Sequence, residues 1–227
     1  MRGELLRVSN SEPLNMKTVL RQLNVMTLYR PLSDSLFGLS LLTPDKKHRF
    51  MLVNSNSRRG RQHFTIAHEL FHLYYDESPK AHFLSSNTDA SERSANLFAS
   101  ALLMPKEGLL QNIPSEEIVS KKVSIDTLLR IEHIYGVSHQ TLVLRLKELH
   151  IISSSYADEL SVVSITQEAA LRGYDSKLYS TGNEGLVIGD FGSKARKLFD
   201  EERISEGPYL ELLNLIGYGE GKNCAGC

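Results

Sequence analysis

His68 and His72 stand four residues apart, with Glu69 directly after the first, in a stretch from about Gln62 to Tyr75. Apolar residues recur there at helical spacing: Ile66, Leu70 and Leu73, with Phe64, Ala67, Phe71 and Tyr74 widening the stripe. On a helix, an i, i+4 pair of imidazoles shares one face, one turn apart. A zinc ion can then take one nitrogen from each at about 2.0–2.1 Å. Glu69 lies about 100° further round, where it can take a proton from water on the metal without itself binding the metal. So broad an apolar face predicts a helix buried on most sides, around which the rest of the chain must pack. Asp76-Glu77-Ser78-Pro79 ends it, because proline cannot continue the hydrogen-bond ladder.

A hydrolytic zinc site needs a third protein ligand and keeps its fourth position for water. The extended metzincin pattern would place a histidine six residues after His72, and that position is Ser78. A second helix is expected over about Ala90 to Leu103, and it offers Glu92. Residues 92, 95, 96 and 99 share a face of that helix. Ala95 and Ala99 are small enough to let it approach the first helix closely. Asp89 followed by Glu92 also fits a capping box, in which the glutamate caps only its own helix. Glu77, His82 and Asp89 are the reserve candidates, each in or beside a loop.

The run Arg61-Gln62-His63-Phe64-Thr65-Ile66-Ala67-His68-Glu69-Leu70-Phe71-His72-Leu73 is followed by Glu92-Arg93-Ser94-Ala95-Asn96-Leu97-Phe98-Ala99 and, soon after, Met104-Pro105. Together they resemble the ImmA/IrrE family of metallopeptidases, from about residue 25 to 105 and more loosely to about 150. Gly38-Leu39-Ser40 and the Asn54-Ser55 loop are similar too. The resemblance implies a zincin-like fold and a gluzincin-like site. His68, His72 and Glu92 would be the Zn2+ ligands, and Glu69 the catalytic carboxylate. Family members typically cleave helix-turn-helix repressors and so relieve transcriptional repression of stress-response or mobile-element genes. Phe71 stands where the family commonly has glycine. Some members carry a repressor-like DNA-binding domain ahead of the peptidase. The residues before the motif leave no room for one, so the expected substrate is a separate protein.

The resulting fold class is α+β. A zincin-like domain over residues 1–113 combines a small antiparallel sheet with the active-site helices. The sheet is expected from the β-prone runs Val25 to Tyr29, Leu36 to Leu42 and Phe50 to Val53, separated by turn chemistry. A helical hairpin resembling a helix-turn-helix follows over 114–152, and a less defined α/β region of unknown role over 153–227. The hairpin supplies an alternative function: a DNA-binding or protein-binding regulator whose zinc site is structural or inactive. Between residues 121 and 150, however, Lys121, Lys122, Arg130, Arg145 and Lys147 face Asp126, Glu132 and Glu148. That excess is milder than groove binders usually show. An antitoxin-type interaction protein on a dead peptidase fold is a third class, and the intact Glu69 argues against it.

Composition narrows the setting. Lys and Arg total 26 against 27 Asp and Glu, which argues against a surface designed as a whole for nucleic acid or anionic membrane. No apolar run approaches the roughly 18 residues a membrane helix needs, and no signal-peptide pattern opens the sequence. The only cysteines, Cys224 and Cys227, exclude a disulfide framework and fit a cytoplasmic chain. Their spacing suits redox or metal chemistry, but nothing around them completes such a site.

Overall fold

A computed structural model describes residues 1–9, 11–76 and 90–218. Glu77, His82, Asp89, Cys224 and Cys227 lie outside the described residues. The fold is mixed α and β, as the sequence implies. Helix α1 (Met16–Gln22) starts where the Asn15 side chain accepts from the Thr18 amide, and it buries Met16, Val19 and Leu20. Strands β1 (Val25–Arg30), β2 (Gly38–Leu42) and β3 (Arg49–Asn54) follow, with a short β4 (Val187–Ile188) returning from much later in the chain.

The sheet order is β2-β3-β1-β4. It is mixed, which corrects the expectation of a wholly antiparallel sheet. Strand β3 pairs antiparallel with β2 but parallel with β1, in the register Thr27 to Met51. After β1 the chain crosses to the outer position, forms β2 and only then turns back. β3 therefore enters between them in the same direction as β1. Asn54 organises that crossing: its amide donates to the carbonyls of Ser33 and Leu36, while its Oδ1 accepts from the amides of Leu32 and Asn56.

Helix α2 (Arg59–Tyr75) lies across the sheet, and α3 (Ala90–Leu103) packs along it. Tyr29, Met51 and Val53 meet Ile66, Ala67, Leu70 and Leu73 beneath α2, and Ala99, Leu102 and Leu103 close the core from α3. Burial of this kind contributes roughly 25 cal/mol per Å2 of apolar surface. Glycine sets one of the contacts. A Cβ on Gly38 would lie 2.4 Å from Thr65 Cγ2 and 3.2 Å from the Leu52 carbonyl oxygen, so only glycine lets β2 press this closely on α2. Arg2 anchors the N-terminal segment. Its buried guanidinium donates to the carbonyls of Ser9, Glu12 and Leu102.

Helices α4 (Lys106–Asn112), α5 (Ser115–Ser120), α6 (Ile125–Tyr135) and α7 (His139–Glu148) follow. Leu128 and Ile131 of α6 and Leu142 and Leu146 of α7 belong to the same apolar cluster as the sheet and α2. The α6–α7 turn is pressed onto the first turn of α2: a Cβ on Gly60 would meet the backbone of Val137 and Ser138 at 2.8–2.9 Å. His63 Nδ1 lies 2.7 Å from the Gly136 carbonyl oxygen at the same junction.

Past residue 152 come α8 (Ser154–Ser161), α9 (Ile165–Leu171), α10 (Phe191–Asp200) and α11 (Glu206–Leu215). The segment joining α9 to β4 runs back over the start of α2. There the Arg59 amide donates to the Ser180 carbonyl and the Arg59 guanidinium to Lys177 O and Ser180 Oγ. The buried Gln62 amide donates to Gly182 O and accepts from Asn183 Nδ2. An amide of the first helical turn, which has no partner within its own helix, is thus satisfied from a distant part of the chain. Among the described residues no helix is long and apolar enough to cross a membrane.

Candidate metal centre

The helix α2 carries His68, Glu69 and His72 deep in the molecule, at 1%, 0% and 5% exposure. Glu92 sits in the first turn of α3 and is likewise buried. The i, i+4 spacing turns both imidazoles to one side, and the small Ala95 and Ala99, both fully buried, let α3 come close. Glu92 Oε2 lies 3.2 Å from His68 Nε2, and Glu92 Oε1 lies 3.4 Å from His72 Nε2. The two Nε2 atoms are 3.1 Å apart. One donor atom from each of His68, His72 and Glu92 falls within 4.8 Å of the others, a grouping able to hold a metal ion.

The far sides of the rings explain why these atoms converge. His68 Nδ1 is 3.0 Å from Asn96 Oδ1, and His72 Nδ1 is 2.9 Å from Asp76 Oδ2. An oxygen acceptor at Nδ1 calls for the proton there, so that each Nε2 presents its lone pair to the cluster. Two such lone pairs and a carboxylate aimed at one point match the donor set of a zinc site with an open position. By donor chemistry, these residues fit the metal that the sequence led one to expect.

Glu69 stands beside this cluster. Ser40 Oγ, on the inward face of β2, donates to Glu69 Oε2 at 2.6 Å. Glu69 Oε1 is buried and makes no hydrogen bond among the described residues. Burial pushes its carboxyl up to about 7; the Ser40 hydrogen bond pulls it down, and the nearby charge of Glu92 pushes it up. A carboxylate held by one oxygen, with the other open and a proton affinity near neutrality, is suited to general-base work.

Of the residues singled out from sequence, the structure therefore brings His68, Glu69, His72 and Glu92 together. The Asp89 half of the capping-box alternative lies outside the described residues. Sequence reasoning gave Ser40, Asp76 and Asn96 no role, although each carried a signal. Asp76 follows His72 by four residues and Asn96 follows Glu92 by four, so both share a helical face with a candidate ligand. Ser40 shares the inward face of its strand with Gly38. Phe71 is half-buried and packs against Tyr75 and against Phe98 of α3, at ring separations of 5.9 and 5.7 Å, with its ring edge-on to that of His72 at 5.7 Å.

A cleft of about 920 Å3 opens nearby, between α7, α8 and the start of α2. It includes Arg58 and Arg61 and reaches the cluster through Phe64 and Asn96, but none of His68, Glu69, His72 or Glu92 lines it. Arg61 stacks on Phe37, its guanidinium carbon 3.5 Å from the ring centre.

The IrrE N-terminal-like domain, a model of the M78 peptidases, matches residues 20–147, more than half of the chain. The match spans β1 to α7 and so contains the whole cluster. No curated protein matches the chain.

Proposed function

The chain belongs to the ImmA/IrrE family of metallopeptidases, and on that premise we propose that it is a cytoplasmic zinc endopeptidase that cleaves a helix-turn-helix repressor and so relieves repression. The carrying observation is the convergence of His68 Nε2, His72 Nε2 and the Glu92 carboxylate beside the open Oε1 of Glu69. His68, His72 and Glu92 would hold the zinc. A zinc ion in that position supplies Lewis-acid activation of water and of the scissile carbonyl.

The remaining steps fall to the protein. Ser40 fixes Glu69 through Oε2, so Oε1 faces the site. Glu69 Oε1 takes the proton of the attacking water and then returns it to the leaving amine. The burial of Glu69 raises its affinity for that proton, which suits both halves of the transfer. A separate repressor as substrate, and the transcriptional outcome, rest on what the family typically does.

The hairpin α6–α7 gives the regulator reading no support of its own. A recognition helix presents its N-terminal residues to the major groove, whereas here the turn before α7 is packed on α2 and His139 is buried. The decisive experiment uses Glu69→Gln, which keeps shape and the three candidate ligands. At matched zinc occupancy it should retain the repressor in a pull-down and cut it about 10²–10⁴-fold more slowly than the parent. Equal cleavage rates would remove Glu69 as the base and the hydrolytic mechanism with it.

A further inference from the structure

We propose that Asp76 is the positioning residue of the metal centre, locking His72 and joining the ends of the two ligand-bearing helices. This rests on the zinc-site reading above and adds to it a residue outside the histidine–glutamate motif.

Three observations carry it. First, Asp76 Oδ2 lies 2.9 Å from His72 Nδ1, and the Asp76 side chain is only 19% exposed. That bond favours the tautomer that turns the Nε2 lone pair to the cluster and fixes the ring's rotation, the usual contribution of a carboxylate behind a metal-binding imidazole. Second, Asp76 sits where α2 stops. Its own backbone is extended, at φ −81° and ψ 132°. A carboxylate at a helix C-terminus faces the negative end of the helix dipole, an unfavourable place for it. Its presence there is explained by the work it does on the imidazole. Third, the same Oδ2 accepts from Ser91 Oγ at 3.1 Å, and Ser91 is the residue immediately before Glu92 in α3. One carboxylate oxygen thus ties the ring of one candidate ligand to the residue adjoining another. Displacement of Asp76 would shift His72 and Glu92 relative to each other, whereas His68 keeps its own support from Asn96.

The test measures zinc(II) affinity of the full chain by competition with a chromophoric chelator, beside thermal melting of the metal-free protein and the visible spectrum of the cobalt(II)-loaded form. Asp76→Ala should weaken zinc binding about 10–100-fold. Its metal-free melting temperature should stay at the parent value, and its cobalt bands should shift as the His72 ring is released. Asp76→Asn keeps an acceptor oxygen without the charge and should fall between the two. Ser91→Ala should lose less than Asp76→Ala. If the alanine variant does not fold, the asparagine and serine variants decide the matter on the same measurements. Parent-like zinc affinity and cobalt spectra throughout the series would overturn the role of Asp76 while leaving the zinc peptidase standing. A parent chain that binds no zinc would instead defeat the metal-centre reading, and the role of Asp76 with it.

Discussion

Ser40 and Glu69 are joined by a 2.6 Å hydrogen bond between a strand and the helix above it, while the other carboxylate oxygen is buried with no hydrogen bond among the described residues. A hydrogen bond to a charged group is worth about 1.5–3 kcal/mol, so its loss should be felt in rate. Ser40→Ala is expected to cut kcat by about tenfold, equivalent to ~1.4 kcal/mol of barrier, with KM and zinc content unchanged. Steady-state kinetics on the repressor recovered by the Glu69→Gln pull-down provide the check. A rise in KM at constant kcat would mean that Ser40 holds substrate instead.

Glu92 is tested by its own isostere. Glutamine can still cap a helix but is a poor zinc ligand. Losing a mere supporting partner costs about 10–100-fold in metal affinity. Glu92→Gln, which weakens a ligand, should therefore cost at least about tenfold in chelator competition. Unchanged affinity would return Glu92 to the capping role and move the third ligand elsewhere.

The approach of β2 to α2 depends on Gly38. Gly38→Ala forces its methyl against Thr65 Cγ2 and the Leu52 carbonyl, and overpacking of this kind costs typically about 1–3 kcal/mol. Because the same displacement moves Ser40, activity should fall along with stability. Adding Thr65→Ser removes the nearer clash and should recover part of the loss in urea unfolding. The absence of any recovery would show that the Leu52 carbonyl, and not Thr65, sets the spacing.

A second buried polar network lies away from the candidate metal centre. Glu132 accepts from His139 Nδ1 at 2.6 Å and from the Tyr179 hydroxyl at 2.7 Å, and His139 Nε2 lies 3.0 Å from the Leu160 carbonyl oxygen. With both ring nitrogens facing acceptors, His139 is held as an imidazolium. Burial alone would lower its pKa, but the hydrogen bond and charge of Glu132 and the Leu160 carbonyl outweigh it, and the net shift is upward from 6.5. A raised histidine contributes stability that is fully present below its unfolded value and lost as pH climbs through the folded one. Urea midpoints of the parent should therefore decline as pH rises above 6.5, relative to those of His139→Gln. The comparison with the variant removes the opposite trend from His63, whose buried ring is shifted downward. Parallel profiles for the two proteins would show that His139 carries no linked proton. Glu132→Ala, which leaves His139 buried and unpaired, should destabilise by about 3–5 kcal/mol.

No sequence-specific duplex binding is expected from α6–α7. Arg145 already donates to the Met104 carbonyl and pairs with Glu148, and Arg130 donates to the Asn112 carbonyl, so of the region's five cations Lys121, Lys122 and Lys147 remain for phosphates. Any residual affinity should collapse with added salt, since it comes from counterion release. A defined footprint by the intact chain would restore the regulator reading.

The chain declares its centre more clearly than its periphery. The spacing of His68, Glu69 and His72 and the small face of Glu92, Ala95, Asn96 and Ala99 are local patterns, and local geometry turns them into a site. The parallel pairing of β1 with β3 was not legible, because it depends on which strand takes the outer position, a matter decided by long-range packing. Helix α4 was missed because it spans barely two turns after Pro105. Helices α8 and α9, equally short, bury only Ala157, Leu160, Ile165 and Ala169 and so show weak periodicity. A short strand is legible at Gly185 to Ile188 and forms as β4, but its return to pair with β1, and the hold of residues 176–183 on α2, are not. Most of that segment's hydrogen bonds to α2 run through backbone carbonyls, which every residue has.

That return changes what counts as the smallest self-sufficient unit. The stretch that the family model recognises stops at residue 147, yet the helix bearing the histidines draws the partner of its first amide from Ser180 and of its buried Gln62 from Gly182 and Asn183. A polypeptide cut after residue 152 would retain every candidate ligand. It would also present β1 as a bare strand edge for neighbouring molecules to pair with, and the first turn of α2 would be free to fray. Such a fragment should be lost to aggregation before its chemistry fails, so recognisable homology and independent solubility part company in this chain.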